Sequence, residues 1–376
     1  MPLVPKTQDV PADRLKPGAF LEAIDRNDLV HFVVNVGDGD TQLILLPEEK
    51  GSRKAIVVDV VSGDKLAGLI AVLQQSGLLG NEEGALALVV ATHPHADHIS
   101  GMANFLTTHA ELIGEFWEPG YYLATPTYFK MMEVLAELDG VAHSQPTSGT
   151  TRFIDQVKVT VLAPGIGLKN RYDSYGIDVN NSSIALKVEF PARRYYKRED
   201  DGSYTKLPNG ASLVLGADAQ TASWSQVMVD FPQLVASGSA VAKALRKARG
   251  VEPLKANVFK VPHHASKHGL NLELVEELKP DVSLVSSVRE KGSYNFPHLV
   301  ALEALREGIE PTAQKGTAHK DDFDLGIHFT SGKDDTGADL GTIAVVLSPS
   351  GQRRDVWRFG ETAGESIDLL AARRFN

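Results

Sequence analysis

Four residues in one short run carry most of the chemistry this sequence offers. They are His93, His95, Asp97 and His98, in Thr92-His93-Pro94-His95-Ala96-Asp97-His98. On an extended segment, side chains at i and i+2 point to the same side, so His93 and His95 can hold one ion together. Asp97 and His98 fall where the chain turns into a helix and can reach a second ion. Imidazole with carboxylate suits zinc, manganese or iron. The chain has no cysteine, which excludes a thiolate zinc site and a disulfide scaffold. The plain alternative is a His-rich surface loop with Asp97 capping the next helix. A solvated loop has no need of this spacing directly after an apolar strand.

Such residues need rigid strand ends to hold them. Ala55–Val61 is almost wholly apolar and predicts a buried strand with Asp59 near its end. Ala85–Ala91 predicts another that runs straight into the histidine motif. His31–Val36 and Gln42–Pro47 read as strands joined by the tight turn Gly37-Asp38-Gly39-Asp40. Further strands are predicted at Glu115–Trp117, Gln156–Leu162, Ser182–Phe190, Ser212–Gly216, Ala256–Val261, Val282–Ser286, Thr342–Leu347 and Asp355–Phe359. Helices are predicted at Leu66–Gly77, 100–112, Tyr128–Leu138, 222–249, Leu272–Leu278 and Leu299–Arg306. This interleaving predicts an α/β fold with its chemistry at strand ends. Residues 1–28 read as a Pro-punctuated lead-in with a short helical piece near Phe20–Ile24. Residues 29–360 read as one domain with insertions near 192–211 and 222–249, and 361–376 as a C-terminal tail.

With 376 residues, 43% of them hydrophobic and 23% charged, the chain has ample material for a core and is neither disordered nor collagen-like. The net charge of −10, from 38 Lys+Arg against 48 Asp+Glu, argues against a broad basic surface but leaves room for a local basic groove. Arg193-Arg194-Tyr195-Tyr196-Lys197-Arg198 combines charge with aromatic faces, as a single-strand contact would. It also reads as a solvated hairpin with cross-strand tyrosines. Lys243, Arg246, Lys247 and Arg249 read as a solvated helical face. The N-terminus lacks a basic start followed by an apolar run, so no secretory signal is expected. No stretch reaches the roughly 18 apolar residues of a membrane helix. A soluble, cytoplasmic protein with no membrane partner is expected.

His93-Pro94-His95-Ala96-Asp97-His98 resembles the HxHxDH signature of the metallo-β-lactamase superfamily. Other segments support this in the same order. Asn35-Val36-Gly37-Asp38-Gly39-Asp40 resembles the "DVGQGD" turn in the hydrolase domain of the ComEC/Rec2 DNA-uptake proteins, and Val57-Val58-Asp59 resembles the superfamily's early strand-end aspartate. Asn180-Asn181-Ser182-Ser183, Gly216-Ala217-Asp218-Ala219 and Val261-Pro262-His263-His264-Ala265-Ser266-Lys267 resemble that subfamily's "NxxS", "TGDAE" and "HHGSK". Asn295-Phe296-Pro297-His298 resembles its "N-x-HP" region in part. The resemblance covers roughly residues 30–360. It implies a four-layer αβ/βα metallo-β-lactamase sandwich with two divalent metal ions, Zn or Mn, at one edge between the sheets.

The resemblance also implies roles. His93 and His95 would bind the first ion, Asp97 and His98 the second, and Asp218 would bridge them. One of His263 and His264 would complete the second ion, with His263 favoured. Asp59 would orient ligands by hydrogen bonds. Asp97 and His264 are candidate catalytic residues, with Asp59 behind them. His264 or His268 would supply a proton to the leaving group. Asn181, Ser266, Lys267, Asn295 and His298 are candidate substrate contacts. Two departures stand out. The wider superfamily places another His between the signature and the bridging Asp; here His109 and His143 are poorly placed for that, and Asn180 or Asn181 would approach instead. Ala265 and Gln220 also stand where the relatives often have Gly and Glu. The implied activity is metal-dependent hydrolysis by a metal-bridged hydroxide, most simply of a phosphodiester in nucleic acid. A small phosphoester or lactone hydrolase, or a non-catalytic metal-stabilised sensor or partner protein, are the alternatives.

Overall fold

The structure is a computed structural model that describes residues 18–169, 179–191, 196–198, 200–206, 210–231, 240, 254–290, 292–311 and 319–375. The first half of the chain forms α1 (Ala19–Glu22), β1 (Leu29–Val33), β2 (Gln42–Leu45), β3 (Ala55–Val58), α2 (Gly63–Gln75), β4 (Leu86–Val90), α3 (Ala96–Ile99), α4 (Met102–His109), β5 (Glu115–Trp117), α5 (Pro126–Glu137) and β6 (Ala142–Ser144). The second half forms β7 (Thr151–Ile154), β8 (Val157–Ala163), α6 (Ile166–Lys169), β9 (Ala185–Phe190), the hairpin β10 (Tyr196–Arg198) and β11 (Tyr204–Lys206), β12 (Ala211–Leu215), α7 (Thr221–Asp230), β13 (Val258–Lys260), α8 (Leu272–Leu278), β14 (Val282–Val288), α9 (Leu299–Ile309) and β15 (Ile327–Ser331). The chain then returns with β16 (Ile343–Leu347), β17 (Arg354–Arg358) and β18 (Arg373–Phe375).

One sheet runs β18-β17-β16-β1-β2-β3-β4-β5-β6 and the other β15-β14-β13-β12-β9-β8-β7. Successive strand residues face opposite sides, and the buried residues divide accordingly into three cores. Val30, Phe32, Leu43, Val57 and Val89 pack with Leu66, Phe105 and Met131 of the helices outside the first sheet. Leu29, Val33, Ile44, Ile56 and Leu88 pack with Val159, Leu186 and Leu213 between the sheets. Val214, Phe259 and Val285 pack with Trp224, Val275 and Leu305 outside the second. Helix, sheet, sheet, helix is the four-layer αβ/βα sandwich expected. Both faces of β1, β2 and β3 are covered, which is why those strands read as continuous apolar runs. Among the described residues no helix is long and apolar enough to cross a membrane.

The structure corrects the expected boundaries. The segment 361–376 is no detached tail: β18 pairs antiparallel with β17 and extends the first sheet. Its strand is short and carries two arginines, so it has no apolar pattern to read. Residues 18–28 belong to the fold as well. Phe20 is fully buried, with its ring edge-on to Phe32, Trp357 and Phe359 at 5.8, 5.4 and 5.2 Å. The helix expected at 100–112 is α4 followed by a 3₁₀ turn at Ala110–Leu112, and α3 encloses Asp97 and His98 themselves. Strands β6, β7 and β15 had no counterpart in the sequence reading. Of the helix expected at 222–249, α7 covers the start; Lys243, Arg246, Lys247 and Arg249 lie outside the described residues, as do Arg193, Arg194 and Tyr195. Tyr196–Arg198 pairs with Tyr204–Lys206 as a hairpin.

Candidate metal centre

Strands β3 and β4 are parallel, with Val58 opposite Val90, so Asp59 and the histidine motif leave the sheet side by side. Asp59 turns at once into the left-handed region, at φ 57°. Its carboxylate accepts the Thr92 N–H and the Thr92 hydroxyl, both at 2.7 Å, and meets His98 Nδ1 at 2.7 Å. Three polar groups on one buried carboxylate fix the His98 ring and leave its Nε2 facing outward. The turn Gly37–Asp40 clamps the same motif from the other side. The Asp40 N–H donates to the Asp97 carbonyl at 3.0 Å. A Cβ on Gly39 would stand 2.9 Å from that carbonyl oxygen, so only glycine allows this approach.

The second sheet supplies the opposite wall. Asp218 follows β12, and the turn Pro262–Ala265 follows β13, its parallel neighbour. His263, His264 and Ala265 are consecutive left-handed residues at φ 50°, 52° and 62°. Each non-glycine residue there costs about 1–2 kcal/mol, so the surroundings must enforce the turn. The His263 N–H donates to the Ala217 carbonyl at 2.8 Å, and His264 Nδ1 donates to the Ser286 carbonyl at 2.8 Å. The second bond leaves His264 Nε2 free to face Asp97. A buried alanine, Ala265, adopts the last of these left-handed conformations.

The side chains converge in two groups that share one carboxylate. His93, His95 and Asp218 form the first, and Asp97, His98, Asp218 and His264 the second; within each, candidate ligand atoms all lie within 4.8 Å of one another. His93 Nε2 is 3.1 Å from His95 Nδ1 and 3.6 Å from Asp218 Oδ2. His98 Nε2 is 3.2 Å from Asp218 Oδ1, and His264 Nε2 is 3.6 Å from Asp97 Oδ2. His93, His98, Asp218 and His264 are buried, whereas the Asp97 side chain is 45% exposed and opens the cluster to solvent.

The electrostatics fit a cation. Burial works against a charged His98, but Asp218 and Asp59 on either side hold its pKa well above the ordinary histidine value. Burial also works against the Asp218 carboxylate, yet His98 and His93 hold it well below the usual carboxylate range. Asp97 is held low as well, with His264 and His98 outweighing its desolvation. Burial pushes His93 down, with His98 adding to it. His98 Nε2, Asp218 Oδ1 and His264 Nε2 are all buried without a hydrogen-bond partner. Orphaned donor atoms of this kind, aimed at one another, fit divalent ions. His93, His95 and Asp218 would hold one, and Asp97, His98, Asp218 and His264 the other.

Of His263 and His264, with His263 favoured for the second ion, the donor group contains His264, whose Nδ1 meets the Ser286 carbonyl and whose Nε2 lies buried in the group. His263 stands beside it, with Nε2 3.6 Å from Asp218 Oδ2. Asn181 accepts hydrogen bonds from the Ser223 N–H and hydroxyl at 3.3 and 3.0 Å, so it anchors the start of α7. Ser266 is buried and its hydroxyl accepts the His268 N–H; Lys267 is exposed. Asn295 is exposed and left-handed at φ 64°, and His298 caps α9 while its N–H donates to the Ala265 carbonyl at 3.0 Å. His143 meets buried Glu118 at 3.2 Å on a neighbouring strand end and belongs to neither donor group.

Three features escaped the sequence reading. Phe296 packs its ring 5.3 Å from His263 and 5.6 Å from His264. Ser286 fixes the His264 tautomer. Lys260 and Asp40 form a fully buried ion pair at 2.8 Å, which ties β13 of one sheet to the turn after β1 in the other. A lysine inside the apolar run Val258-Phe259-Lys260-Val261, directly before two histidines, was the available signal.

No protein-family model matches the sequence. The chain is 23% identical over 303 residues to ComE operon protein 3 of Bacillus subtilis (strain 168), covering 76% of this chain. It spans about a third of that relative, 32% of its length. Among solved structures, it is similar to the metallo-β-lactamase fold protein YhfI from Bacillus subtilis, at 11% identity and a TM-score of 0.39, covering 75% of this chain and 94% of that one. It is also similar to a diphosphatase from the PhnP family, at 10% identity and a TM-score of 0.34, with 80% and 94% covered. A long-form RNase Z from yeast gives 9% identity and a TM-score of 0.35, with 81% and 40% covered.

Proposed function

We propose that this protein is a metal-dependent hydrolase that cleaves phosphodiesters, with nucleic acid as the substrate class. The observation that carries the reading is Asp218, a buried carboxylate shared by two donor groups with an exposed mouth at Asp97. Divalent ions bound there would supply Lewis-acid charge for the phosphoryl oxygens and an activated water. The chain's own residues do the rest. Asp59 and the Ser286 carbonyl hold the His98 and His264 rings so that Nε2 of each faces the cluster. Asp97 stands at the opening. His263, outside both groups and 16% exposed, is placed to hold a proton at Nε2 beside the reacting atoms. Phe296 packs its ring against His263 and His264.

No side-chain nucleophile competes with this chemistry, since the chain has neither cysteine nor a Gly-x-Ser-x-Gly elbow. The resemblance of the ordered motifs to the hydrolase domain of DNA-uptake proteins supports nucleic acid over a small ester. The test is cleavage of end-labelled single- and double-stranded DNA and RNA with Mn²⁺ or Zn²⁺, beside Asp97→Ala. Metal-dependent cleavage lost in the variant is expected. If no polymer is cut while the ions are bound, nucleic acid is the wrong substrate class.

A further inference from the structure

The loop after β5 carries an aromatic patch that the chemistry above does not use. Tyr122 is 62% exposed and Phe129 43% exposed. Their rings meet at 5.7 Å and 68°, and Tyr128 beneath touches each at 6.2 Å. Scattered exposed aromatics are ordinary, but two exposed rings packed against each other over a third form a contiguous set of the kind that marks a binding surface.

The patch lies on the rim of the proposed centre. β5 is the parallel neighbour of β4, with Trp117 opposite Val90. The loop therefore leaves the sheet about 4.8 Å, one strand spacing, from the segment that becomes His93. α5, which bears Phe129, packs against α3, which bears Asp97 and His98. The loop is also held at its root. Glu118 is buried, and its carboxylate accepts the Gly120 N–H at 2.6 Å, meets His143 Nε2 at 3.2 Å and accepts the Gln145 amide. At the far end Thr125 caps α5 by accepting the Tyr128 N–H at 3.3 Å, with Pro126 in the first turn. Desolvating a carboxylate is costly unless it is satisfied, and here it fixes the loop that presents the rings. Rings held in place lose little entropy when they bind.

We propose that Tyr122 and Phe129 form a stacking platform for the bases of a single-stranded nucleic acid whose backbone reaches the Asp218 cluster. This rests on the phosphodiesterase reading above. Every base has a flat face, so such a platform tolerates any sequence. Stacking supplies affinity that does not depend on phosphate contacts.

The test compares labelled oligothymidylate, dT12, with the same backbone made wholly of abasic sites. Binding is read by fluorescence anisotropy at one fixed low salt, in chelator so that nothing is cut. The wild type is expected to prefer the base-bearing strand. In Tyr122→Ala with Phe129→Ala that preference should collapse by roughly tenfold to hundredfold, and Tyr122→Phe should keep it. Equal binding of the two strands by the wild type would overturn the platform. So would an equal loss on both strands in the double variant, or a preference that survives it. Cleavage of dT12 in Mn²⁺ is read separately. Cutting without base preference removes the platform alone, base preference without cutting removes the phosphodiesterase reading alone, and no binding of either strand removes both.

Discussion

Asp59 need not touch a substrate to matter. Its carboxylate is spent on Thr92 and His98, and it sets which nitrogen of His98 faces the donor cluster. Asp59→Asn should lower divalent-ion affinity by about 10–100-fold in competition with a chromophoric chelator; unchanged affinity would mean that the ring is held by packing alone. The protons on these rings set a second expectation. His98 and His264 have raised pKa values in the metal-free protein, where nearby carboxylates outweigh their burial. Above about pH 6.5 the histidines of the unfolded chain are neutral, so only groups raised by the fold still carry protons. The stability they contribute is therefore lost as pH rises through their folded values. His93 and His263, which burial lowers, act in the opposite sense below that window. An ion must expel the His98 proton, so ion affinity should rise with pH over the same range. Calorimetric titration and thermal melts of the metal-free protein between about pH 6 and pH 9 check both signs. At this scale the candidate donor cluster was largely legible, because histidine and aspartate announce themselves by type and spacing. The choice between His263 and His264 was not: it depends on a carbonyl of Ser286, distant in sequence, and no side-chain pattern encodes a backbone acceptor.

At the scale of elements, the site depends on turns that run against backbone preference. Asp59, Ala217, His263, His264 and Ala265 are all left-handed, in the turns that follow β3, β12 and β13. Strain of this kind persists only where the surroundings enforce it. Gly39 is the matching concession in the first sheet. Gly39→Ala should push the Asp97 carbonyl out of position, destabilise the protein by about 1–3 kcal/mol and weaken ion binding together. Chemical denaturation with a parallel ion titration reads both; a stability loss with intact ion binding would separate the turn from the site. The apolar strands and the helices of clear period were legible within a few residues. Short strands such as β6 were not, because Ala142–Ser144 has no pattern of its own and is held by pairing with β5. β15 was missed although Ile327-His328-Phe329-Thr330 alternates apolar and polar residues as a strand does. Burial pushes His328 well below the ordinary histidine value, and Arg358 sits against its Nδ1 at 2.9 Å, a partnership visible only in three dimensions.

Across the whole molecule, each sheet presents half of a centre, and the two halves must be held in register. Lys260 and Asp40 do this with an ion pair that has no access to water. Removing one partner strands the other charge, whereas removing both avoids that penalty. Lys260→Met should therefore cost about 3–5 kcal/mol, and adding Asp40→Asn should recover much of it. Additive losses in urea unfolding would contradict the pairing. The four-layer plan was legible from interleaved strands and ordered motifs, but the closure of the first sheet by β16, β17 and β18 was not, since the chain returns there only after completing the second sheet. The central claim is that one carboxylate, Asp218, serves two ions. Ion stoichiometry by native mass spectrometry, for the wild type and Asp218→Ala, tests it most directly. Two divalent ions on the wild type and at most one, weakly held, on the variant is the expected result. No ions on the wild type, or two on the variant at undiminished affinity, would contradict it.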